Sequence, residues 1–285
     1  MKINRSLVSF HFVFLLLLLI SGSTSYGDDF ASSSDGVEIS YQIYGKGEPA
    51  LVFIHGWCCD KSYWKYQVAY FSKDNMVVTI DLAGHGESGL GRKTWSMEAF
   101  GEDVLAVLEK LNIERAILIG HSMGGAVIIE TARQIPKRIM GLVGVDTYHN
   151  IEFKMSKEGL EKFIKPFKEN FAGKSDSFIR NMFTSDADSA LVEQIVIDMS
   201  SAPLEIGIGA LQEYFIYDRV SALNKFKTRI ICINSDRSKT IVESGQRHAI
   251  SFELKLMPGI GHFVMMEEPE NFNKLLTEAV IELSR

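Results

Sequence analysis

At 285 residues, of which 46% are hydrophobic and 23% charged, the chain is long enough for one large α/β domain with a full core. A formal charge of −6 and the lack of basic runs exclude nucleic acid from the expected partners. Three cysteines, two of them the neighbours Cys58 and Cys59 and the third Cys232 in an apolar run, give neither a disulfide framework nor metal-ligand spacing.

The first residues carry Lys2 and Arg5, then the apolar stretch Val8 to Ile20, then small polar residues to Gly27. This is the layout of a secretory signal peptide, and thirteen apolar residues fall short of the about twenty that span a membrane. Residues 1–27 are therefore expected to be a cleaved leader, with an uncleaved anchor as the alternative, and the mature protein to be secreted or periplasmic, with no stable membrane span after cleavage. Its removal takes the formal charge from −6 to −8.

Val37 to Tyr44 alternates polar and apolar residues, as a half-exposed antiparallel strand does. Leu51 to Ile54, Met76 to Ile80, Ala116 to Ile119 and Ile139 to Val145 are apolar runs of the kind buried on both faces of a parallel sheet. Between them, Lys61 to Phe71, Trp95 to Leu111 and Met123 to Gln134 have the composition of helices. That alternation predicts a mostly parallel sheet with helices on both faces. From Thr147 the rhythm breaks into a segment rich in Phe, Lys, Glu and Met. Core residues 28–149 are then followed by an expected helical lid over 150–218, and the core resumes over 219–285. There the strands Arg229 to Asn234 and Phe252 to Met257, a helix from Ser238 to His248, the turn Pro258 to His262 and a closing helix from Pro269 to Leu283 are expected.

Gly120-His121-Ser122-Met123-Gly124 sits between a strand and a helix. In that context a G-x-S-x-G match is a nucleophile elbow, which exposes the hydroxyl of Ser122 and aims the Met123 amide at a developing oxyanion. His55-Gly56-Trp57 ends a neighbouring strand, so the Trp57 amide is the expected second oxyanion donor. Serine needs a base held by a carboxylate, in the chain order serine, acid, histidine. Of the histidines after Ser122, His149, His248 and His262, the last follows a strand in the turn Gly-Ile-Gly-His-Phe and is the expected base. Two acids compete. Asp236 lies in Asn234-Ser235-Asp236-Arg237-Ser238, two residues before Ser238, the place where a Gly-x-x-Asp pattern would put its aspartate; Asp146 follows the strand after the elbow helix, 24 residues past Ser122. Asp146 is favoured and Asp236 kept as the alternative. Asp81 and His85 are read as loop braces, and Cys58 and Cys59 as small buried fillers.

His55-Gly56-Trp57, the loop Asp81-Leu-Ala-Gly-His-Gly-Glu-Ser88, Gly120 to Gly124 and Gly259-Ile-Gly-His262 together resemble the α/β-hydrolase fold family, from about Val37 to the C-terminus. The resemblance implies an eight-stranded sheet, a helical cap and a Ser-His-Asp hydrolase that needs no cofactor. The Ser122 to Asp146 spacing is similar to that in haloalkane dehalogenases whose acid follows the sixth strand. Those enzymes attack with an aspartate where this chain has Ser122, so their activity is not carried over. The expected activity is cleavage of a carboxylic ester or related acyl bond in a small hydrophobic substrate. Phe163, Phe167, Phe171, Met182, Phe183, Tyr214, Phe215 and Tyr217 either line its pocket or form the lid's own core. A ligand-binding receptor that keeps the triad with slow or no turnover is the alternative, and a lyase or cofactor-free peroxidase a third reading.

Overall fold

A computed structural model describes residues 28–285; the expected leader, 1–27, lies outside them. Eight strands form one sheet: β1 (Asp29–Ser32), β2 (Glu38–Tyr44), β3 (Ala50–Ile54), β4 (Val77–Ile80), β5 (Ala116–His121), β6 (Ile139–Val145), β7 (Arg229–Ser235) and β8 (Ser251–Met257). Their order is β1-β2-β4-β3-β5-β6-β7-β8. The β1–β2 and β2–β4 pairings are antiparallel and every other pairing is parallel. The apolar runs explain this arrangement. Leu51 to Ile54 and Ile117 to Ile119 are wholly buried, which requires cover on both faces.

That cover comes from two helical layers. One holds α2 (Met97–Lys110), α3 (Met123–Gln134) and α8 (Arg219–Leu223); the other holds α1 (Lys65–Phe71), α10 (Val264–Glu267) and α11 (Pro269–Leu283). The short α9 (Val242–Gln246) packs on β8. Between β6 and β7 the chain leaves the sheet and builds α4 (Lys157–Glu169), α5 (Phe171–Arg180), α6 (Ser189–Ser200) and α7 (Leu204–Ile216) before α8.

Two expectations need correction. The helix expected over Ser238 to His248 shrinks to Val242–Gln246, because the Ile241 amide donates to His149 O at 2.7 Å and the Thr240 hydroxyl accepts from Asn234 at 2.9 Å. These contacts hold the preceding residues in an irregular loop against β7. Strand β1 was missed. It has four residues with only Ala31 buried, too little for a periodic signal.

The register places the site. Ile54 pairs with both Ile80 and Gly120, His121 with Val145, and Val145 with Ile233. The carboxyl ends of the parallel strands therefore reach one line, the edge at which ligands bind in open α/β sheets.

Candidate active site

Ser122 stands between β5 and α3 with φ +52° and ψ −113°, a strained conformation for a residue with a Cβ. The turn depends on its glycines. A Cβ on Gly120 would sit 2.4 Å from Gly124 O, and one on Gly124 would sit 2.6 Å from the carbonyl oxygens of both Ile54 and His55. The Ser122 amide donates to Val145 O at 3.0 Å, and its carbonyl accepts from Gly125 N and the Thr147 hydroxyl, each at 3.0 Å. Both backbone groups of Ser122 are thus tied down. The half-buried hydroxyl makes no hydrogen bond to protein among the described residues.

Ser122 lines a cavity of about 300 Å³. Trp57, Met123, Asp146, His149, Arg237 and His262 line it too, with an apolar wall that includes Phe178, Met182, Leu211, Tyr214 and Phe215. Of the insert aromatics and methionine singled out in the sequence, Met182, Tyr214 and Phe215 are in that wall. Phe163, Phe167, Phe171, Phe183 and Tyr217 are not, and the first three pack among themselves or against neighbouring rings, including the edge of Trp57.

Asp146 and His262 meet although 116 residues separate them. His262 Nδ1 lies 2.5 Å from Asp146 Oδ2, while Asp146 Oδ1 accepts from the Ser235 amide at 2.7 Å and the Ser235 hydroxyl at 2.9 Å. A second imidazole is close by, with His149 Nε2 3.8 Å from the same carboxylate. Burial works to raise the Asp146 pKa, but the neighbouring His149 and His262 outweigh it and hold the group well below the usual carboxylate range. Asp146 is therefore an anion held by three hydrogen-bond contacts, with the His149 ring beside it. Asp236, the alternative acid, is elsewhere: its carboxylate accepts from the Gly259 amide at 2.9 Å and fastens the turn before His262.

The histidine loop is gripped on every side. His121 Nε2 donates to His262 O at 3.0 Å and its ring leans on the His262 ring, with centroids 4.6 Å apart. Burial lowers the His121 pKa to about 3, so it acts here as a neutral donor. Glu267 accepts the amides of Gly261 at 2.9 Å and Phe263 at 3.0 Å, one on each side of His262. Neither His121 nor Glu267 was singled out from the sequence. Glu267 carried a weak signal, a carboxylate one turn past the expected base.

Trp57 is carried past the end of β3 by a braced loop. His55 donates from Nδ1 to Gly56 O at 2.8 Å and accepts the Leu82 amide on Nε2 at 3.0 Å, which links the ends of β3 and β4. Burial lowers its pKa to about 4, so the neutral form these bonds require persists. The Trp57 indole donates to Gly207 O of α7 at 2.7 Å. Among the described residues the backbone amides of Trp57 and Met123 donate to no protein acceptor. The Asp81 carboxylate accepts from Lys61 and from the Glu87 amide, and His85 Nδ1 faces Ala83 O at 3.0 Å; both serve their own loops. Burial raises the pKa of Cys58, Cys59 and Cys232, so all three stay thiols.

A family model described as the alpha/beta hydrolase family matches residues 51–275. The chain belongs to the alpha/beta hydrolase family. It is 28% identical over 245 residues to the dihydrolipoyllysine-residue acetyltransferase component of an acetoin cleaving system from Pseudomonas putida, covering 82% of this chain and 64% of that protein. It is 23% identical over 258 residues to 3-oxoadipate enol-lactonase 2 of Acinetobacter baylyi, covering 88% of this chain and 95% of the relative. The fold is that of a thermophilic esterase from Thermogutta terrifontis, with a TM-score of 0.78 and 22% identity over 90% of this chain and 99% of that one.

Proposed function

We propose that the protein is an exported serine hydrolase that cleaves a carboxylic ester, or a related acyl bond, of a small to medium hydrophobic substrate. The observation that carries this reading is a strained, unpaired serine on a cavity it shares with an imidazole whose far nitrogen is held by a buried carboxylate. Among the described residues neither Ser122 Oγ nor His262 Nε2 makes a hydrogen bond to protein, and serine–histidine hydrogen bonds of this kind often form only with substrate. Relatives named as an enol-lactonase and an esterase support the acyl-bond class.

In the proposed reaction His262 takes the proton of Ser122 as its hydroxyl attacks the carbonyl. Asp146 keeps the imidazole in the tautomer that presents Nε2 and balances the imidazolium that forms. The oxyanion is received by the Trp57 and Met123 amides, the second at the positive end of α3. His262 then returns the proton to the leaving group, and a water activated by the same imidazole releases the acid. Helices α4 to α7 act as a lid whose Phe178, Met182, Tyr214 and Phe215 receive the acyl group. At about 300 Å³ the cavity is at the small end of ligand pockets, which favours short chains. Export rests on the pattern of residues 1–27, and the N-terminus of protein recovered outside the cytosol tests it.

The direct test is turnover of short p-nitrophenyl esters. Wild type is expected to hydrolyse them, and Ser122→Ala to lose about 10⁶-fold in kcat. Wild-type turnover no faster than Ser122→Ala would leave a binding protein as the better reading.

A further inference from the structure

The loop after β7 reads Asp236-Arg237-Ser238 at the place where an aspartate was sought for the acid. What it holds instead is a guanidinium that reaches the insert. Arg237 Nη1 donates to Phe183 O at 2.6 Å and Nη2 donates to Asn181 O. Between those two carbonyls, Met182 O accepts the backbone amide of His262 at 2.9 Å. The Phe183 ring stacks on Phe263, with centroids 5.1 Å apart and planes 21° apart. Three successive carbonyls at the end of α5 are thus gripped from the core, the outer two by one side chain and the middle one by the peptide of the base. The fit is close, since a Cβ on Gly261 would lie 2.7 Å from Met182 O.

A planar guanidinium suits this task. Its donors diverge at fixed angles, so one group can hold two carbonyls two residues apart. Its charge also complements the negative end of α5. With both outer carbonyls fixed, the direction of the middle one is fixed too, and that direction orients the His262 peptide. His121 holds the next peptide unit, through His262 O, and Asp146 holds the ring at Nδ1. If the Met182 anchor is lost, the peptide can rotate about the remaining contacts, which swings Nε2 relative to Ser122.

We propose that Arg237 is a positioning residue for His262, acting through the Asn181–Phe183 strap and so coupling the insert to the base. This rests on the hydrolase reading above. The strap residues Asn181 and Met182 also line the cavity, so a bound acyl group presses on the element that sets the base. Catalysis on esters too short to touch the insert then depends on Arg237 as much as catalysis on long ones.

The experiment compares wild type, Arg237→Gln and Arg237→Lys on p-nitrophenyl acetate and p-nitrophenyl octanoate. Misplacing a catalytic group by a fraction of an ångström predicts a kcat loss of about tenfold on both esters in Arg237→Gln, with KM changed by less than about twofold. Arg237→Lys, which can hold one carbonyl, should recover part of the loss. A loss confined to the octanoate, or appearing in KM alone, would make Arg237 a substrate contact and overturn the proposal, as would unchanged kcat. Histidine ¹⁵N spectra give a readout free of turnover and of folding yield. The His262 ring signals should move in folded Arg237→Gln while those of His248, which is paired with Glu152 and lines no part of the cavity, stay in place. Unmoved His262 signals overturn the positioning role. Moved signals in a protein whose wild type cleaves no ester overturn the hydrolase reading and support the strap.

Discussion

Asp146 occupies a left-handed backbone position, φ +43°, that aspartate tolerates better than most residues. The conformation turns its carboxylate from the end of β6 toward the next strand, where the Ser235 amide and hydroxyl receive one oxygen and leave the other to His262. Asp236 is 90 residues away in sequence, and its work is to fasten the Gly259 amide. Asp146→Asn is therefore expected to lower kcat by about 10⁴-fold, the scale seen when a triad acid is neutralised. Asp236→Asn should stay within about threefold, as a surface loop substitution does. Steady-state kinetics on one ester checks both, and the reverse ranking would move the acid to the β7 loop. The sequence narrowed the acid to these two residues and favoured Asp146 from its place after a strand, but the contact with His262 was not legible, because it depends on Val145 pairing with Ile233 across strands. His262 was legible from its own turn. The grip of Glu267 and His121 on its backbone was not, since backbone hydrogen bonds to side chains leave no periodic trace.

At the scale of elements, the elbow is a packing solution before it is a catalytic one. Gly124 lies against the carbonyls of Ile54 and His55, which have no flexible end to yield. Gly124→Ala should destabilise the protein by about 2 kcal/mol or more, measured as a shift of the urea unfolding midpoint. A stability equal to wild type would show that α3 and β3 can separate at no cost. The buried strands β3, β5, β6 and β7 were readable because a strand covered on both faces must be apolar throughout. Elements held by other means were not. β1 is too short to show alternation, and the segment before α9 is pinned by the His149 carbonyl instead of coiling. In the insert, apolar spacing could not separate Phe167, buried among other rings, from Phe215, which faces the cavity. Both are large apolar residues on helices, and only the packing of those helices distinguishes them.

Across the whole molecule, the site is built on buried neutral histidines, and this sets its response to acid. Burial lowers the pKa of His55 to about 4 and of His85 and His121 to about 3. An unfolded histidine titrates near 6.5. Between those values the unfolded chain binds more protons than the folded one, so stability is full above about pH 6.5 and falls as pH drops toward the folded values. Asp146, whose pKa is also lowered, adds a loss of the same sign at lower pH. The buried carboxylates Asp81, Asp103 and Glu267, whose pKa values burial raises, act in the opposite sense, so the histidine share is read by comparison: Tm should fall more steeply from pH 7 to pH 4.5 in wild type than in His85→Gln, and equal slopes would contradict the neutral, buried state of this ring. The central claim, that Ser122 is a nucleophile made reactive by His262, is tested most directly by fluorophosphonate labelling of the folded protein followed by mass mapping. A single adduct on Ser122, absent in Ser122→Ala and formed far more slowly in His262→Ala, is the predicted result. No adduct on folded wild type, or an adduct on another residue, would contradict it.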